Sequence, residues 1–160
     1  MASSDLDQLF MAHAARLSGE RMREGKGGPF GAVIVRDGVV IAEGWNEVTS
    51  SNDPTAHAEV VAIRRACAAL GTFRLEGATI YSSCEPCPMC LAAIYWARLS
   101  RLVFANDRDE AAAIGFDDRF LYDEVGQPIA ARRIPTLRID SPEAKAAFAE
   151  WTAKADRIAY

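Results

Sequence analysis

The 160-residue sequence predicts a single α/β domain, a mixed β-sheet with helices on both of its faces. Three observations lead there. An apolar hairpin pattern stands near the start, strand-like and helix-like runs alternate after it, and the length suits one buried core. Half of the residues are apolar and a quarter charged, as in ordinary globular proteins.

The elements follow in chain order. Residues 4–25 read as a first helix, with Leu6, Phe10, Ala14 and Leu17 on one face, and Gly27-Gly28-Pro29 ends it. FGAVIVRDGVVIAEGW then gives two apolar runs joined at Asp37-Gly38, a pair that tolerates the positive φ of a tight hairpin turn. Asp53-Pro54 reads as an N-cap followed by proline at the first helical position, and Gly71 stops that helix after Leu70. Val60, Ile63, Cys67 and Leu70 share a face, which predicts core positions for them. ATIYSS is a third strand, a helix opens at Glu85-Pro86, and RLVFAN is a fourth strand. DEAAAIG is a short helical piece, IPTLRI reads as a last short strand, and a C-terminal helix closes the chain. The stretch from Ala130 to Ile139 offers no firm boundary. Hairpin and crossover connections together make the sheet mixed.

Charge and hydropathy limit the partners. The net charge is −4, and residues 141–160 balance Lys145, Lys154 and Arg157 against Glu143, Glu150 and Asp156. Nucleic-acid binders need a basic face to neutralise phosphate, so this balance favours a small-molecule substrate. No apolar run approaches the roughly 20 residues of a membrane span. MASSDLDQLF lacks the charged-then-apolar order of a secretory leader. A cytoplasmic location is expected, where a cysteine cluster reads as metal-binding or catalytic rather than as disulfides.

That cluster is SCEPCPMC, with Cys84, Cys87 and Cys90 at equal spacing. Both prolines fit within a first helical turn, where backbone N–H groups have no intrahelical acceptor. A helix beginning at Pro86 sets Cys87 and Cys90 at i and i+3 on one face. Two ligands leave a tetrahedral ion two short. His57, in PTAHAEVV, is the candidate third, because both helix N-termini of a strand-helix-strand-helix unit emerge at the same sheet edge. One His, two Cys and an open position make the composition of a catalytic zinc site. Glu59, two residues and about 200° further round a helix, stands beside the ion rather than on it. It can take a proton from the zinc-bound water, whose pKa falls to roughly 7, and return it to a substrate. The competing readings are a closed structural site with Cys84 as fourth ligand, and a Cys-x-x-Cys redox pair that leaves His57 and Glu59 without a role.

His-Ala-Glu followed by Pro-Cys-Pro-Met-Cys matches the H-x-E…P-C-x-x-C signature of the zinc nucleobase deaminases. GPFGAVIV, SNDPTAHAE, SCEPCPMCLAAIYWAR and GFDD together resemble the small bacterial guanine deaminases over essentially the whole chain. The resemblance implies a three-layer α/β/α sandwich with a five-stranded mixed sheet, one Zn²⁺ per subunit, and hydrolysis of guanine to xanthine and ammonia. It further implies a homodimer whose C-terminal segment is swapped onto the partner's active site. Carried over residue by residue, it makes Asn46, Phe30, Ala58 and Phe116 substrate contacts, Asp118 a proton carrier to the leaving amine, and Tyr160 a cap on the partner's site. Read without it, Asn46 is a turn asparagine, Asp117 and Asp118 are solvated charges at a helix start, and Tyr160 is a chain end. Other deaminase substrates, cytosine, ammeline or adenosine in tRNA, share the same motifs, and a non-enzymatic zinc module is the rival from another class.

Overall fold

In a computed structural model that describes residues 4–160, the chain forms two compact units, Met1–Arg119 and Phe120–Tyr160. Residues 1–3 of the leader reading lie outside the described part.

The first unit holds β1 (Gly31–Arg36), β2 (Val39–Trp45), β3 (Thr79–Cys84) and β4 (Arg101–Asn106), in the spatial order β2-β1-β3-β4. β1 runs antiparallel to both neighbours and β3 runs parallel to β4, so the sheet is mixed as expected. Asp37 and Gly38 join the hairpin with φ of 52° and 76°, the left-handed backbone such a turn demands. Side chains alternate across a strand. Ala32 and Ile34 therefore join Ala42, Ala62, Leu75, Ile80 and Ile94 in one core, while Val33 and Val35 join Phe10, Leu17 and Tyr81 in another. Helix α1 (Asp5–Arg23) covers the second face. A short α2 (Val48–Ser51), not foreseen in the sequence, leads to α3 (Ala58–Leu70), which with α4 (Pro88–Trp96) covers the first face.

Four expectations need correction. Leu6 is exposed, and its neighbour Asp7 is buried in its place. Asp7 completes a capping box with Ser4 while Tyr81 Oη donates to it at 2.7 Å and Arg101 at 2.6 and 2.9 Å, which satisfies a carboxylate that apolar burial alone would penalise.

Helix α3 begins at Ala58, not Pro54. Asp53 Oδ1 instead accepts from the N–H and hydroxyl of Thr55, at 2.8 and 2.7 Å, closing a local turn that leaves His57 extended at the N-cap. Its buried face carries Ala58, Val61, Ala62 and Ala66. Val60, Ile63 and Cys67 are only half-buried and Leu70 is exposed. Small residues face inward because the helix lies flush on Gly44, where a Cβ would come 2.2 Å from the Ala58 oxygen.

Helix α4 starts at Pro88, not Pro86, and Cys87 is its extended N-cap, as the residue before a proline tends to be.

The sheet has four strands among the described residues, not five. Ile134, Leu137 and Ile139 of IPTLRI are 75–82% exposed, and no strand among the described residues pairs with them. Extended backbone without a partner edge forms no ladder. Helix α5 (Arg108–Ala113) and the start of α6 (Arg119–Gly126) complete the first unit. The second holds the rest of α6, a 3₁₀ turn at Ile129–Ala131 and α7 (Pro142–Ala153), where Phe148 is exposed. No helix among the described residues is long and apolar enough to cross a membrane.

Candidate active site

The N-termini of α3 and α4 meet as expected. The ligand atoms of His57, Cys87 and Cys90 lie within 4.8 Å of one another. His57 Nδ1 is 3.6 Å from Cys87 Sγ and 3.5 Å from Cys90 Sγ. A tetrahedral zinc ion, with bonds of about 2.3 Å to sulfur and 2.0–2.1 Å to nitrogen, sets those atoms about 3.6 Å apart. The donor set and its spacing fit the ion, with Nδ1 as the imidazole ligand. Cys84 stands outside this cluster; its sulfur is buried and turned to the Asp107 carbonyl at 4.0 Å.

Electrostatics also prepare the cluster for a cation. The hydrogen bond from Cys90, followed by that with His57, pulls the Cys87 thiol down to about 4. The same bond to Cys87, with burial, pushes Cys90 up. A divalent ion binds the thiolates, so its binding releases thiol protons. His57 is raised chiefly by its bond with Cys87.

Glu59 is buried beside these ligands and outside their cluster. Its Oε1 accepts a hydrogen bond from Ser82 Oγ on β3 at 2.9 Å. Burial pushes its carboxyl above the usual range, the direction a proton carrier needs. Asp118, half-buried, is raised first by burial and then by the charge of Cys87, which brings it into the same electrostatic neighbourhood. Asp117 does something different: its Oδ1 accepts from the Arg119 N–H at 2.9 Å, at the start of α6.

A second group forms around the Gly27-Gly28 strap. Asn46 is buried, and its Oδ1 accepts from the N–H groups of Gly28 and Val48, both at 3.2 Å. That occupies the amide oxygen and leaves Nδ2, which makes no hydrogen bond among the described residues, as the end that can meet a ligand. The Phe30 and Phe116 rings meet edge to face at 4.8 Å, two apolar surfaces against the same strap. Ala58 is fully buried at the first position of α3, where its N–H has no intrahelical acceptor. Tyr160 ends the second unit and is 72% exposed.

Ser82 was missed in the sequence. Its signal was the pair of hydroxyls in IYSSC, polar residues in a strand that is otherwise buried, and such groups always need a partner. Ser83 has its own, accepting from the Gly31 N–H at 3.0 Å.

The model of the cytidine and deoxycytidylate deaminase zinc-binding region matches residues 4–106. The chain is 50% identical over 153 residues to the guanine deaminase of Bacillus subtilis, covering 96% of this chain and 98% of that one. The X-ray structure of guanine deaminase from Bacillus subtilis superposes with a TM-score of 0.93 at 50% identity, over 96% of this chain and 98% of that one. A tRNA-specific adenosine deaminase of Agrobacterium fabrum is 47% identical over 106 residues, 66% of this chain and 67% of its own.

Proposed function

The chain belongs to the cytidine and deoxycytidylate deaminase zinc-binding family, and from that premise we propose that it is a zinc-dependent guanine deaminase, hydrolysing guanine to xanthine and ammonia. The observation that carries this reading is the extent of the match: 50% identity to a guanine deaminase covers 96% of the chain, including its C-terminal stretch, whereas the adenosine deaminase match covers 66%.

His57, Cys87 and Cys90 hold the zinc ion, which when bound acidifies a water molecule to near neutrality. Glu59 would take a proton from the attacking water and return it to a ring nitrogen of guanine as oxygen adds at C2. The bond from C2 to its amine then breaks as the added hydroxyl gives up its proton to become the C2 carbonyl, and Asp118 relays that proton to the departing nitrogen, so that guanine and water become xanthine and ammonia. Asn46 Nδ2 and the Ala58 N–H hold the base edge, and Phe30 and Phe116 wall the pocket. The buried, tethered amide of Asn46 supports its role, and the nearby Cys87 charge supports that of Asp118.

The protein acts in the cytoplasm as one deaminase domain within a homodimer, and residues 120–160 of each copy close the partner's site with Tyr160 as cap. Two features support this. The outer edge of β4 has no strand beside it among the described residues, and Ile134, Leu137, Ile139 and Phe148 are exposed where a globular unit would bury them. A zinc-loaded preparation incubated separately with guanine, adenine, cytosine, cytidine and tRNA tests the function. Ammonia from guanine and xanthine as product are expected; ammonia from tRNA alone would overturn the reading.

A further inference from the structure

We propose that Ser82 is a positioning residue for the deamination, its hydroxyl anchoring one oxygen of the Glu59 carboxylate while that carboxylate carries the proton. This inference rests on the deaminase reading above.

The bond joins two rigid elements. Ser82 lies in mid-sheet, paired with Ala32 of β1 on one side and with Phe104 of β4 on the other. Its backbone is therefore held by both neighbours, and its side chain is 2% exposed. A buried hydroxyl needs a hydrogen-bond partner, and here the Oγ–H donates to Glu59 Oε1 at 2.9 Å. Glu59 reaches toward this point from the first turn of α3, two residues after a metal ligand.

A glutamate side chain has three rotatable bonds, and its carboxylate turns freely when nothing holds it. In this reaction the same carboxylate accepts a proton at one moment and releases it at the next to a different atom. Anchoring Oε1 to the sheet restrains that rotation, in a carboxylate that is buried beside the metal-ligand group. Ser82 is bonded to Glu59 and is not a member of the metal-ligand group, so its contribution belongs to the proton transfers and not to binding.

The test uses full-length, zinc-loaded protein and the variants Ser82→Ala, Ser82→Cys and Ser82→Thr. Turnover, KM for guanine and zinc per chain are measured for each. Ser82→Ala should lower kcat by roughly 10- to 100-fold, the range for groups that orient catalytic side chains from behind. KM should stay within about twofold, zinc should stay at one per chain, and Thr should restore most of the rate. Cys keeps the shape with a weak donor and should fall between Ala and wild type, which keeps the test informative if Ala folds poorly. Wild-type kcat in Ser82→Ala, loss of zinc in proportion to activity, or a Thr variant no better than Ala would overturn the inference. Failure of the underlying reading looks different: the wild type itself then releases no ammonia from guanine.

Discussion

Gly27 lies directly against Asn46: a Cβ placed on it would come 2.2 Å from the Asn46 carbonyl oxygen and 2.4 Å from Oδ1. The first of these neighbours is backbone and cannot swing away. Gly27→Ala should therefore displace the amide proposed to meet the base while sparing the zinc ligands. Steady-state ammonia release should show KM for guanine raised roughly tenfold or more, each tenfold corresponding to about 1.4 kcal/mol, with zinc per chain unchanged.

Glu59→Gln keeps the size and removes the proton carrier. Turnover should fall by roughly 10²- to 10⁴-fold, the usual contribution of general acid–base groups. Metal analysis should still find one zinc per chain, since Glu59 stands outside the ligand cluster. Full activity in this variant would remove Glu59 from the mechanism.

The zinc site itself can be counted. X-ray absorption at the zinc edge should find two sulfur neighbours and two lighter ones; a third sulfur would bring in Cys84. Chelation should abolish turnover and lower Tm together, because the ion joins the N-termini of α3 and α4. Adding zinc back should restore both.

Asp7 contributes to acid stability. The Arg101 guanidinium, with the Ser4 N–H and Tyr81 hydroxyl, holds its carboxyl well below the usual carboxylate range. A depressed folded-state pKa gives stability that is complete above the unfolded value of about 3.9 and is lost as pH falls below it. Thermal melts should show that loss below about pH 4 in the wild type. Arg101→Met should lower Tm by several degrees at pH 7 and flatten the acid limb, because less of the shift remains to be lost.

Sedimentation should find two copies of the 17.4 kDa chain in the active species. Leu137→Glu with Ile139→Glu should shift it toward monomer and reduce turnover, and Tyr160→Ala should raise KM without dissociating the pair. A fully active monomer would end the proposal of a shared site.

Much of the architecture was open to reading in one dimension. Asp37-Gly38 stated its turn because positive φ has few tolerant residue types, and Gly71 stated a helix end in the same way, with φ of 62°. The inward stripe of α3 was misread because hydrophobicity points to Val60, Ile63 and Leu70, whereas the close approach to Gly44 is made by Ala58 and Ala62, with Val61 and Ala66 buried on the same helix. Size, not hydropathy, selected the face. IPTLRI failed as a strand for a related reason: its apolar residues state a preference for burial, and only the arrangement of neighbours decides whether an edge is there to receive them.

By itself the sequence determined the ligand types, the glutamate beside them and the order of the four strands with α1, α3, α4 and the C-terminal helix, because these depend on residue chemistry and short spacings along the chain. Tertiary structure alone decided that His57 presents Nδ1, that both metal-bearing helices begin later than their prolines suggest, and that Ser82 reaches Glu59. The first and last of these depend on distances between residues far apart in the chain, which the packing of whole elements sets; the helix starts were decided by the Asp53–Thr55 turn and by Pro88.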